Sequence, residues 1–110
     1  MIKTPNMDNY TLIRNAIIYQ QNVSATYNGY YREMCPHVIG SKNGRRQALF
    51  YQYGGQSSSG RITPGALNNW RCIPVDDLQN VTIIEGQWHT ASNHSTPSTC
   101  VDIIDVEVSF

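Results

Sequence analysis

The chain has 110 residues, enough for one domain (1–110) whose core needs neither metal nor cross-links. Its 8 basic and 8 acidic residues cancel, and only 15% of residues are charged, which excludes a strong overall grip on duplex nucleic acid and makes any basic site a local one. No apolar run is long enough to span a bilayer, so no membrane association is expected. Cys35, Cys72 and Cys100 leave one thiol over if two of them bridge. No secretory apolar region follows Met1, so a reducing, cytoplasmic setting is expected.

Asp8 can cap a helix in which Ile13, Ala16 and Ile17 recur at helical spacing, and asparagine favours its end near Gln21-Asn22. Strand-forming runs then flank Asn28-Gly29, residues that take positive φ cheaply and suit a tight hairpin turn. This turn sets Tyr27 opposite Tyr30, Thr26 opposite Tyr31 and Ala25 opposite Arg32. Alternation therefore groups Val23, Ala25 and Tyr27 with Tyr30, Arg32 and Met34 on one face. One arginine sits in an apolar and aromatic set. It is either a snorkelling surface residue or a charge held where a ligand can meet it.

Pro36 cannot donate to a ladder, so the strand bends or meets an edge there before Val38 and Ile39 resume it. Asn43-Gly44 is a second turn signal ahead of the strand Gln47–Tyr53. Its pairing sets Phe50 opposite His37 and Gln52 opposite Cys35, unless Pro36 brings a bulge. Gly54 to Asn69 is a long glycine- and serine-rich irregular stretch. Trp70–Val75 and Val81–Glu85 read as strands around an Asp76–Asn80 turn, and Gln87–Thr99 reads as a polar loop. In the last segment Ile104, Val106, Val108 and Phe110 alternate with Asp105, Glu107 and Ser109, the pattern of a half-buried strand. A leading helix and about five or six strands with tight turns predict a mainly β fold, a small curved antiparallel barrel. A flat sheet with the helix on one face is the alternative.

With these elements placed, the chain from about Leu12 to Ile84 resembles the WYL domain family, small SH3- or Sm-like barrels of bacterial and phage regulators. The likeness rests on the leading helix, the Thr26-Tyr27 strand end, the Gly29 turn, and Arg32 followed by Pro36-His37. It continues through the Leu49-Phe50-Tyr51 strand and Arg71 ahead of Val75-Asp76-Asp77-Leu78. Ala48-Leu49-Phe50-Tyr51 stands where the family has its Trp-Tyr-Leu tripeptide. The resemblance implies binding of negatively charged ligands, nucleotides or single-stranded nucleic acid, with Tyr27, Arg32, His37 and Arg71 at the matching positions.

The residues themselves support part of this reading. Arg71 shares a face with Ile73 and Val75 as Arg32 does with its neighbours, and a guanidinium offers a rigid fork to phosphate or carboxylate. The plainer alternative is a pair of rim arginines matched to Glu33, Asp76 or Asp77. Gln52, Gly54, Gly55, Gln56, Ser57, Ser58 and Ser59 supply amides and hydroxyls for an anion-binding nest, although any solvated loop uses the same residues. They lack the lysine and strand-to-helix context of a P-loop. Cys35-x-His37 and His89, His94 and Cys100 lack zinc-site spacing, and nothing orients a Cys–His nucleophile. No metal, cofactor or catalysis is expected.

The reading is therefore a non-catalytic module holding a small anionic ligand, a nucleotide or a short single-stranded nucleic acid, as a sensor or sequestering protein. Its ligand-binding residues are Tyr27, Arg32, His37, Gln52, Ser57, Ser58 and Arg71. The alternative is a protein-interaction or inhibitory module, encoded by a phage or mobile element, that docks on a partner enzyme through Trp70, Trp88 and Phe110. The apolar last strand also suits pairing in a homo-oligomer.

Overall fold

The computed structural model describes residues 8–57, 62–63, 66–91 and 100–108. In chain order they form α1 (Asn9–Ile18), β1 (Asn22–Tyr27), β2 (Tyr30–Lys42), β3 (Arg45–Gly55), β4 (Trp70–Pro74), a 3₁₀ turn (Val75–Asp77), β5 (Gln79–Ile84) and β6 (Ile103–Glu107). The fold is mainly β with an N-terminal helix, as expected. The strands run β4-β3-β2-β1-β5 in one antiparallel sheet, with β6 also against β2. The curvature comes from β2. Its first residues pair with β1 and its last with β6, so this 13-residue strand changes neighbour along its length. Pro36, which has no N–H to offer, sits between those two stretches.

Both turns form on Asn-Gly. Asn28 and Gly29 take φ of 53° and 78°, and Asn43 and Gly44 take 52° and 78°, the values of a turn that follows strand twist. The first hairpin accordingly pairs Tyr27 with Tyr30 and Ala25 with Arg32. The second keeps its expected register from Lys42–Arg45 to Val38–Leu49 and then slips. His37 bulges, so Phe50 faces Pro36 and Gln52 faces Met34, one residue away from the expected partners His37 and Cys35. Beyond them Tyr53 is the extra residue on β3, and Gly54 again meets Glu33.

The Asp8 side chain accepts from Thr11 N at 2.8 Å and caps α1. The helix ends a turn earlier than expected. Gln20 takes φ of 55°, while the amides of Gln20 and Gln21 reach back to the carbonyls of Ile17 and Ala16. Ile13, Ala16 and Ile17 bury against Val23, Ala25, Met34, Phe50, Ile73 and Val75, which places the main core between α1 and one sheet face. Asn9 ties the helix to the far end of the sheet by donating to the carbonyls of Val75 and Leu78.

Residues 87–91, the described part of the expected Gln87–Thr99 loop, have no regular secondary structure, as expected, and pack on the sheet. Asn22 donates to the Gln87 carbonyl, Tyr53 stacks on the His89 ring with centroids 4.2 Å apart, and Trp88 lies against His37. Leu49, Cys100 and Val101 form a second small cluster with Val38 and Trp70. A disulfide joins Cys72 to Cys100, leaving Cys35 buried and free. The expected reducing setting implies three thiols. A bridged pair is what an oxidising compartment maintains. On β6 a register shift at Asp105 breaks the expected alternation. Val108 is buried and Val106 half-buried, but Ile103 and Ile104 point outward at 71% and 49% exposure. Phe110 and Ser109 lie outside the described residues. Among the described residues no helix is long and apolar enough to cross a membrane.

Candidate anion-binding site

The hairpin register places Arg32 on the face that carries Val23, Ala25 and Met34, all buried in the core. The bulge at His37 then brings Gln52 onto that face from β3, where it pairs with Met34, and Arg71 follows on β4 opposite Phe50. Arg32 is 4% exposed and Gln52 is fully buried. Arg32 Nη1 donates to Gln52 Oε1 at 3.2 Å, and Nη2 donates to the Tyr27 carbonyl at 3.3 Å. The guanidinium carbon lies 5.3 Å from the Tyr27 ring centroid and 5.7 Å from that of Tyr30, within range of cation–π attraction. Its Nε has no partner, the one such buried side-chain atom among the described residues.

The surroundings of Arg32 are fixed. Gln52 Nε2 donates to the carbonyls of Gly54 and Gln56, each at 2.9 Å, which turns Oε1 towards the guanidinium. The Gln56 amide donates to the Tyr31 carbonyl at 2.7 Å, and the Gln52 amide to that of Asn69 at 2.9 Å. Gly55 has φ of 81°, and a Cβ there would collide with the Tyr31 carbonyl and stand 2.8 Å from Arg32 Cα. Only glycine lets β3 lie this close to the strand that carries the arginine. Arg71 is half-buried and uses Nη1 alone, donating to the carbonyls of Asn68 at 2.9 Å and Trp70 at 3.1 Å.

Among the described residues no carboxylate pairs with either arginine. Asp76, one expected partner, pairs with Arg46, which also reaches Asp8 at 3.7 Å and covers the Tyr10 ring at 5.0 Å. Glu33, another, accepts from the Tyr31 hydroxyl at 3.1 Å. Burial lowers the proton affinity of Arg32, and the nearby charge of Arg71 lowers it further. Burial lowers that of Arg71 as well. Arginine stays charged regardless, so the consequence is a pair of poorly solvated, uncompensated cations.

Of the residues singled out from the sequence, the structure joins Tyr27, Arg32 and Gln52 directly and sets Arg71 within electrostatic reach. Ser57 is buried one residue beyond Gln56, and Ser58 lies outside the described residues. His37 belongs elsewhere. Fully buried at the bulge, it has Nδ1 2.8 Å from the Cys35 carbonyl and Nε2 3.0 Å from Thr90 Oγ1. A carbonyl only accepts, so Nδ1 carries the proton and Nε2 accepts from the threonine. The ring sits 4.8 Å from Trp70 and 4.9 Å from Trp88. Those tryptophans, expected to serve docking, pack around His37, and Trp70 also meets Tyr51 edge-on at 5.1 Å.

Burial pushes the Cys35 thiol up to about 12, so it carries no thiolate for a Cys–His pair. Among the described residues no group of histidine, cysteine and acidic side chains is arranged to hold a metal. Tyr30 and Gly55 are contributors outside the expected ligand-binding set, Gly55 having been read only as part of the nest. Tyr30 was legible from the shared hairpin face, whereas the need for Gly55 appears only once β3 is seen against β2. The chain matches no protein-family model, no curated protein and no solved structure.

Proposed function

We propose that the protein is a non-catalytic binding module for a small anionic ligand, held on the sheet face that Arg32, Gln52 and Arg71 share. The carrying observation is Arg32, a guanidinium sealed into the sheet with, among the described residues, no carboxylate paired to it and no partner for its Nε. A buried charge left unmatched costs several kcal/mol. The Gln52 and Tyr27 acceptors and the tyrosine rings offset part of that cost, and a bound oxoanion would offset the rest. Nucleotides and short single strands are the ligand classes suggested by the likeness to WYL domains, which remains a proposal. The docking alternative has less support, because Trp70 and Trp88 are engaged with His37. A cytoplasmic home fits only if Cys72 and Cys100 are thiols in the cell, which alkylation of freshly lysed cells would reveal.

The test is calorimetric titration of a nucleotide panel into the parent and into Arg32→Ala combined with Arg71→Ala, with circular dichroism as the check on folding. Binding by the parent and its loss in a folded double variant are expected. Equal binding by both would overturn the reading.

A further inference from the structure

The groups around Arg32 go further than a preference for negative charge. The nearby acceptors already serve the two guanidiniums: the Tyr27 carbonyl and Gln52 Oε1 accept from Arg32, and the Asn68 and Trp70 carbonyls accept from Arg71. The Gln52 amide donors are engaged too, on Gly54 and Gln56. The donors still open to a ligand are the Arg32 Nε–H and the Nε and Nη2 edge of Arg71, whose two bonds both leave from Nη1. A ligand ammonium would find no carboxylate there among the described residues, so a zwitterion is poorly matched. Register puts Arg71, opposite Phe50, on the same sheet face as Arg32 and Gln52, and two guanidinium charges on one face are balanced by a dianion and only half balanced by a monoanion. Arg32 is 4% exposed, so a group reaching its Nε must project from the end of a molecule. A phosphate flanked by sugar on both sides does not.

We propose that the site takes a phosphomonoester dianion, a terminal phosphate such as that of a mononucleotide, in preference to the internal phosphodiester of a strand. This rests on the anion-binding reading above and narrows it to one ligand class. Inorganic phosphate shares the same chemistry, and the two sources are separated by titrating each.

The experiment titrates four probes into the full chain at pH 7.5: a nucleoside 5′-monophosphate, inorganic phosphate, a dinucleoside monophosphate whose one phosphate is internal, and glycine. The first two are expected to bind, and the last two at least about tenfold more weakly, as expected when one charge-assisted contact is missing. Lowering the pH to 5 should weaken the monophosphate about tenfold, because its second proton binds with a pKa of about 6. Arg32→Lys, which keeps the charge and loses the fork, should weaken both phosphates. If the internal diester binds as tightly as the monophosphate, and both depend on Arg32, the phosphomonoester inference falls while the anion reading stands. If no probe binds the parent, or binding ignores a folded Arg32→Lys variant, both fall.

Discussion

Arg32 and His37 are sealed into the same strand five residues apart, at 4% and 0% exposure, and they are settled in opposite ways. His37 has an acceptor for one nitrogen, a hydroxyl for the other and two indole rings against its own. Among the described residues Arg32 has two acceptors, two rings, no partner for its Nε and the charge of Arg71 acting on it instead of a counter-ion. Arg46 supplies a third case. On the surface, the same residue type is given Asp76, Asp8 and the Tyr10 ring. A buried polar group with its bonds complete holds the fold together. One left incomplete at the end of a core carries an unmet hydrogen bond, which is the ground for the binding proposed at Arg32.

The contrast breaks most visibly at His37. His37→Ala removes a fully buried ring and both its hydrogen bonds, and we expect a loss of roughly 3–5 kcal/mol in denaturant unfolding. Anion binding by the folded fraction should be unchanged. Nearly as large is the effect of reducing Cys72–Cys100. The bridge spans a sequence separation of 28, so its loss should cost about 3–4 kcal/mol, read as a drop in melting temperature with a dithiol present. Cys35, buried and held neutral, should stay unmodified by alkylating reagents until the chain unfolds.

Arg32→Met sharpens the comparison from the other side. It removes a poorly solvated charge together with two hydrogen bonds, so stability should change by no more than about 1 kcal/mol. Phosphate binding should nevertheless fall beyond detection, the reverse of the His37 outcome.

Smallest is Asp105, whose carboxyl is held below its usual range by the Tyr10 hydroxyl and by Arg14. Its depressed folded pKa gives a contribution present above the unfolded value of about 3.9 and lost as pH falls through the folded value. The pair is largely exposed, so Asp105→Asn should remove no more than about 0.5 kcal/mol at pH 7. The variant should also show a shallower fall in melting temperature between pH 5 and pH 2.

The two Asn-Gly turns made much of this legible in advance. They carry their own φ preference, so the register of the first hairpin, and with it the face Arg32 shares with Val23, Ala25 and Met34, followed from the sequence, while the burial of that arginine did not. The rest depended on contacts between distant segments. Neither the bulge at His37 nor the compensating one at Tyr53 has a local signature beyond Pro36, and together they set Gln52 beside Arg32 and His37 beneath the tryptophans. Residues 87–91 are the loop their sequence suggests, but they bind the sheet through a carbonyl and single rings instead of a ladder, so nothing in their pattern announces that packing. The Cys72–Cys100 pairing was one choice among three and became visible only when β4 lay beside residue 100. Similarly, the shift at Asp105 that turns Ile104 outward is set by β2 and not by the alternating sequence of β6.

The most direct measurement follows the arginine Nε–H signals by ¹H–¹⁵N correlation while a nucleoside monophosphate is added to the parent protein. Arg32 Nε–H, unpartnered in the free protein, should move downfield and saturate, while that of Arg46, already paired with Asp76, stays in place. An Arg32 signal that remains where it began throughout the titration would contradict an anion site at that guanidinium.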